Sequence, residues 1–200
     1  MACEMDNDVN SYERFLQGDT GGLEELVERH NTNLILFIHS FISDLTVCED
    51  LAADTFLELI LKKHKFIPRF KFKTWLFKIA RNNAVDYLRK HNKHKSVPLE
   101  DIDDKLTASY TPEEILLKSE RDKQLHRVIS TLHSQYKQIL HLIYFEDMSY
   151  EQAGKVLKKN GKQIKNLVYR AKQSLKIELE KVGFELWEPI KNKRIISLQC

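Results

Sequence analysis

Apolar residues recur along this chain at helical spacing, with polar intervals between the repeats. Leu23, Leu26 and Val27, followed by Leu34, Ile35, Ile38 and Ile42, predict a long helix over residues 22–42. Leu51, Phe56, Leu59 and Ile60 give the next segment an apolar side, opposite a polar side of Asp50, Asp54, Thr55 and Glu58. That helix must end before Pro68, because the residue preceding a proline is driven out of the α region. A third helix is predicted over residues 74–90, with Trp75, Leu76, Ile79, Ala80, Ala84, Tyr87 and Leu88 along one face. From residue 92 to 112 the periodicity vanishes, and Pro98, Glu100, Asp101, Asp103, Asp104 and Pro112 mark an acidic polar linker. Helical spacing returns over residues 113–131 through Ile115, Leu116, Leu125, Val128, Ile129 and Leu132, with Pro112 suited to the first turn. A second apolar helix follows over residues 134–145.

The pattern then shortens. Glu146 to Ser149 reads as a turn, and Ser149 with Gln152 fits a capping box, in which hydroxyl and amide satisfy free backbone donors at a helix start. A short helix, residues 150–157, runs into Lys158-Lys159-Asn160-Gly161, where Asn160 with Gln163 offers a second box opening a helix over residues 161–181. That last helix buries Ile164, Leu167, Val168, Ala171 and Leu175 and therefore exposes Lys162, Gln163, Lys165, Asn166, Tyr169 and Arg170. Short helix, tight turn and long basic helix make a helix-turn-helix, with small Ala153 and Gly154 where the two helices cross. Such a helix fits the DNA major groove, where Gln163 or Asn166 pairs with adenine and Lys or Arg with guanine, the other cations contacting phosphates. The plainer alternative for this segment is a helical hairpin with a solvated lysine face.

Composition narrows the class. Gly 6 and Pro 4 are 10 of 200 residues, about 5% where average usage is roughly 12%, so turn-rich β architectures are disfavoured and an all-α fold is expected. The longest apolar run, Leu34 to Ile38, falls far short of the roughly 20 residues that span a bilayer. Neither a transmembrane helix nor a secretory signal is readable, which predicts a cytoplasmic protein with no direct membrane insertion. Cys3, Cys48 and Cys200 are too dispersed for a disulfide framework or a zinc site, and neither metal nor cofactor is expected.

The net charge of +3 conceals a strong distribution. Lys62 to Lys95 holds twelve basic residues and the single acid Asp86, and Lys155 to Lys176 holds eight basic residues and no acid. Glu4 to Asp54 is mostly acidic. Two cationic surfaces, one interleaved with Phe66, Phe70, Phe72 and Trp75, point to nucleic acid.

These residues resemble a bacterial family. Leu140-His141-Leu142-Ile143-Tyr144-Phe145-Glu146-Asp147-Met148-Ser149-Tyr150-Glu151-Gln152-Ala153, followed by Lys165-Asn166-Leu167-Val168-Tyr169-Arg170-Ala171-Lys172, is similar to region 4 of sigma-70 family factors of the extracytoplasmic-function (ECF) group. Glu49-Asp50-Leu51-Ala52-Ala53-Asp54-Thr55-Phe56, and Thr74-Trp75-Leu76-Phe77-Lys78-Ile79-Ala80-Arg81-Asn82 with Asp86-Tyr87-Leu88-Arg89, resemble region 2. The motifs stand in the family's order across residues 11–180. The resemblance implies two small helical domains on a flexible acidic tether: region 2 at 11–92, a linker at 93–111, region 4 at 112–182, and an extension at 183–200 to which no role is attached.

It also implies a division of labour. Asp50, Asp54, Thr55 and Glu58 correspond to the surface that docks on the β′ clamp helices of core RNA polymerase, and region 4 would meet the β flap. Ala53 and Asp54 replace the family's Gln-Glu pair. Phe66, Phe70, Lys71, Phe72, Lys73, Lys78, Arg81 and Asn82 correspond to the segment that melts the -10 promoter element, where aromatic faces stack on exposed bases and lysines follow the strand. Trp75 and Phe77 are as well suited to the core. Lys158, Lys159, Lys162, Gln163, Lys165, Asn166, Tyr169 and Arg170 face the -35 element, with Lys158-Lys159 where the family commonly has Gly-Ile. An anti-sigma factor is an implied partner, and no small-molecule substrate is expected.

Other classes fit less well. An enzyme of the di-metal helical-bundle type needs a Glu three residues before a histidine, which is absent here, and the phosphate-loop pattern fails because Val156 stands where its first glycine belongs. A self-sufficient dimeric helix-turn-helix regulator leaves the aromatic and basic features of the first domain unused. A purely structural adaptor does not account for either basic block.

Overall fold

A computed structural model of the chain describes residues 7–61, 71–91, 125 and 127–181. Every regular element among them is helical. In order these are α1 (Asn7–Leu16), α2 (Thr20–His39), α3 (Leu45–Leu61), α4 (Phe72–His91), α5 (Ser134–Leu140), a π-helical turn (His141–Phe145), α6 (Tyr150–Leu157) and α7 (Gly161–Lys181). The described residues fall into two compact units. The predicted linker and residues 113–124 lie outside the described residues.

The first unit is the α1–α4 bundle. α1 precedes the helices predicted above; its ten residues carry Val9, Tyr12, Phe15 and Leu16 at helical spacing, a stripe too short to stand alone. It forms because α2 gives it a surface. Asp19 caps α2 by accepting from Gly21 N at 2.9 Å, so the helix opens two residues before the predicted start and takes in both glycines of the Gly21-Gly22 pair. Gly22 is where α1 and α2 touch: a β-carbon there would lie 2.1 Å from the Ser11 carbonyl oxygen. Exposed ion pairs from Arg14 to Asp19 and Glu25 edge this contact, and Ser11 Oγ donates to Glu25 at 2.6 Å. Asp8 meets Arg29 and the buried His30. Burial alone would raise its carboxyl, but hydrogen bonds and charge from His30 and Arg29 hold it below the ordinary value.

Inside the bundle, Leu26, Leu34, Phe37, Ile38, Leu59, Leu76, Phe77 and Ala80 are fully buried, and the Phe37 and Phe77 rings lie 5.2 Å apart. Phe77 is thus a core residue. Cys48 is also buried, its Sγ donating to the Ile42 carbonyl at 3.2 Å, and burial beside Asp44 and Glu49 pushes the thiol up to about 12. α4 begins at Phe72 rather than Thr74, because the Lys71 carbonyl accepts from Thr74 N and Trp75 N and so closes the first turn earlier.

In the second unit, residues 127–130 are helical and α5 packs against α7. The single helix predicted over residues 134–145 is interrupted: Glu146 N donates to the His141 carbonyl, five residues back, and widens the last turn into a π-turn. His141, Leu142 and Tyr144 all point inward as a result, and His141 Nε2 lies 3.5 Å from Glu146 Oε1 with both side chains buried. A run as apolar as His141–Phe145 fits an α or a π turn equally well, so spacing alone could not reveal it. Among the described residues no helix is long and apolar enough to cross a membrane.

Candidate functional site

α6, its turn and α7 build a surface from two reciprocal caps. Ser149 N donates to Gln152 Oε1 at 2.8 Å while Gln152 N donates to Ser149 Oγ at 3.2 Å, which starts α6. The same exchange starts α7: Asn160 N donates to Gln163 Oε1 and Gln163 N to Asn160 Oδ1, each at 2.9 Å. Between them the chain reverses on Lys158, whose φ of 55° lies in the left-handed region, and Lys159 N reaches back to the Gly154 carbonyl at 3.0 Å. Gly154 permits that closure, because a β-carbon there would meet the Lys159 carbonyl at 2.9 Å and Ile164 at 3.4 Å.

The turn thus fixes where α7 points. Ile164, Leu167, Val168, Ala171, Leu175 and Leu179 are buried. Lys158, Lys162, Gln163, Lys165, Asn166, Tyr169 and Arg170 are exposed and Lys159 is half-buried, with the Tyr169 side chain 66% exposed. All eight side chains expected on this surface lie on the turn or on the outward face of α7.

Lys158 is a paradox in stability terms. An L-residue pays about 1 kcal/mol or more in the left-handed region, and glycine does not. Lys158→Gly is therefore expected to stabilise the fold by about 1 kcal/mol, read as a raised midpoint in urea or thermal melts. If the lysine contacts phosphate, the same change lowers the slope of log affinity against log salt by about one. Loss of stability in the variant would contradict the strain assignment.

Lys71, just ahead of α4, and Lys78 on it are exposed, while Lys73, Arg81 and Asn82 of α4 are partly buried. Burial, with Arg89 nearby, moves the Arg81 guanidinium below its ordinary value, and Asp86 opposes that shift. Phe72 departs from expectation. It is 2% exposed, with its ring 5.3 Å from Tyr12, 5.9 Å from Trp75 and 6.2 Å from His30, so it belongs to the core and offers no face for a base. Phe66 and Phe70 lie outside the described residues.

On α3, Asp50 and Asp54 are exposed and Glu58 is half-buried. Thr55 is a correction: it is fully buried, its hydroxyl donating to the Leu51 carbonyl at 2.7 Å and accepting from Asn83 at 3.3 Å, so it ties α3 to α4 rather than facing a partner. Two residues that spacing alone assigned to no surface complete the stripe. Leu57 and Leu61 are 52% and 76% exposed and follow Asp50 and Asp54 at i, i+4, i+7 and i+11. On a helix apolar around most of its circumference, only the packing reveals which leucines are left outside.

Comparison with known proteins decides what these surfaces belong to. The family model "Sigma-70 region 2" matches residues 26–94, and "Sigma-70, region 4" matches residues 122–175. The RNA polymerase sigma factor CarQ of Myxococcus xanthus is 30% identical over 71% of this chain and 80% of its own length. The ECF RNA polymerase sigma factor SigM of Bacillus subtilis (strain 168) is 28% identical over 77% of this chain and 93% of its own. The chain belongs to the ECF group of the sigma-70 family. As a sigma factor it serves promoter-directed initiation of transcription by RNA polymerase. The fold agrees: the sigma factor RpoE of Bartonella quintana, solved in complex with the anti-sigma factor NepR, covers 78% of this chain with a TM-score of 0.60 at 24% identity. In this sigma factor the region 2 match contains all of α3 and α4, and the region 4 match contains α5, the π-turn, α6 and most of α7. α1 lies ahead of both.

Proposed function

We propose that this sigma factor divides its work among the three helical faces described above. The acidic and apolar stripe of α3 docks on the β′ clamp helices of core polymerase, with Asp50, Asp54 and Glu58 steering and Leu57 and Leu61 supplying the buried contact. Lys71, Lys73, Lys78, Arg81 and Asn82, with Phe66 and Phe70, hold the melted -10 strand. The outward face of α7 and the Lys158-Lys159 turn read the -35 element, while region 4 leans on the β flap. The functional units are residues 11–92 and 112–182, tethered by 93–111.

The observation that carries this reading is the helix-turn-helix, held by two reciprocal caps, whose segment from Lys155 to Lys176 has eight cations and no acid. The protein acts in the cytoplasm, without a catalytic centre of its own, and an anti-sigma factor holds it when free; the Bartonella quintana sigma factor is likewise seen in complex with one. Run-off transcription tests the reading. Added to core polymerase from the same organism, the folded protein should produce transcripts that depend on both promoter elements. Absence of promoter-dependent product would refute it.

A further inference from the structure

α3 packs on α4, and the buried side chains of both helices are mostly apolar, among them Leu51, Phe56 and Leu59 on one and Leu76, Ile79 and Ala80 on the other. Apolar attraction has no direction, so it sets how closely two helices approach better than how each is rotated about its axis. A hydrogen bond is directional, and Thr55 and Asn83 make one between these helices. Thr55 Oγ gives its single proton to the Leu51 carbonyl at 2.7 Å, and therefore stands as acceptor toward Asn83 Nδ2 at 3.3 Å. Thr55 is fully buried and Asn83 partly so. Beside Asn82, Asn83 reads in the sequence as more polar surface, and spacing gives it no role.

An α-helix turns by about 100° per residue, so Lys78, Arg81 and Asn82 share one side of α4, roughly 100–160° around the axis from Asn83. By the same arithmetic Asp50, Asp54, Leu57 and Leu61 share one side of α3, roughly 100–160° around from Thr55. The bond thus joins the two helices from behind and uses no side chain of either outward face. We propose that the Thr55–Asn83 hydrogen bond sets the rotation of the DNA-facing side of α4 against the polymerase-docking side of α3, which makes Asn83 a positioning residue for the -10 strand. This rests on the assignment of α3 to core polymerase and of α4 to that strand. With the bond in place, docking α3 also fixes where Arg81 and Asn82 stand relative to polymerase. Without it, apolar packing keeps α4 in the bundle while its outward face turns away from the best register, and the strand is held less tightly. Asn83 acts through Arg81 and Asn82 and touches neither DNA nor polymerase.

The experiment uses the full chain, assembled into holoenzyme with core polymerase from the same organism. Three quantities are read for each variant: affinity for core, affinity of the assembled holoenzyme for a single-stranded -10 oligonucleotide, and the thermal midpoint of the free protein. Asn83→Ala and Thr55→Val should each weaken binding of the oligonucleotide about fivefold, the worth of one ordinary hydrogen bond, while affinity for core stays within twofold. The double variant should lose no more than either single one, because both remove the same bond. Thr55→Ser separates positioning from stability. It loses a buried methyl but keeps the hydroxyl, so its midpoint should fall while the oligonucleotide binds within twofold of the natural protein; Thr55→Val keeps the shape and should show the reverse. Unchanged oligonucleotide affinity in Asn83→Ala, additive losses in the double variant, or losses that follow the midpoint and core affinity across the series would each overturn the inference. Arg81→Ala tests the underlying assignment: if holoenzyme carrying it binds the oligonucleotide as the natural protein does, α4 is not the -10 face, and the inference falls with that reading.

Discussion

Changing both Leu57 and Leu61 to serine should weaken binding to core RNA polymerase by roughly 100-fold while leaving the fold intact. The two side chains are 52% and 76% exposed, so neither contributes much to the core of the α1–α4 bundle. Serine is a poorer helix former than leucine by a few tenths of a kcal/mol, which limits the stability loss to about 1 kcal/mol for the pair. Buried in a complex, each leucine is worth about 1.5 kcal/mol or more, and two together about 3 kcal/mol, which corresponds to about two decades of affinity. Charge is unchanged, so a loss cannot be assigned to steering. Asp50→Arg is the complementary variant: it reverses one carboxylate on the same stripe and should act mainly on the association rate and on salt dependence. Titration of labelled protein against core polymerase, with melting curves as control, separates the outcomes. Affinity within twofold of the natural protein would remove α3 as the docking face.

How much of this was legible in the sequence depends on how local the determinant is. Both capping boxes were readable because each involves residues three apart whose chemistry demands the pairing, and the buried stripe of α7 was readable because its periodicity persists over eleven residues. Phe72 misled because aromatic residues among lysines look the same whether they stack on bases or fill a core. Its partner Tyr12 sits sixty residues earlier, on a ten-residue helix whose short apolar stripe announces no particular partner. Thr55 misled for a related reason: a hydroxyl between two carboxylates reads as polar surface, yet it satisfies itself on Leu51 and Asn83 and needs no water. Leu57 and Leu61 were hidden by the opposite ambiguity, since apolar residues on an apolar helix read as core until the neighbours are known. Non-local packing decided every one of these cases.

The Gly21-Gly22 pair looks like a helix breaker and acts as a contact, and Gly22→Ala should cost about 3 kcal/mol of stability. Overpacking a tight site typically costs 1–3 kcal/mol, and Gly22 belongs at the upper end of that range. The added carbon would lie 2.1 Å from the Ser11 carbonyl oxygen and 2.9 Å from Phe15 N, both backbone atoms that no rotamer change can move. α1 must therefore withdraw from α2 as a unit. Its withdrawal would carry Tyr12 off the rings of Phe72 and Trp75, now 5.3 and 5.8 Å away, and so loosen the start of the helix that bears Lys78, Arg81 and Asn82. Gly21→Ala is the control, because its nearest neighbours are the side-chain ends Asp19 Oδ1 at 3.1 Å and Arg14 Nη2 at 3.5 Å, which can shift. Urea melts should show a large midpoint drop for Gly22→Ala and a small change for Gly21→Ala. Amide exchange should show protection lost first in α1 and the leading turn of α4. If Gly22→Ala melts within about 0.5 kcal/mol of the natural protein, α1 is not held by this contact, and the first turn of α4 must owe its position to the rest of the bundle.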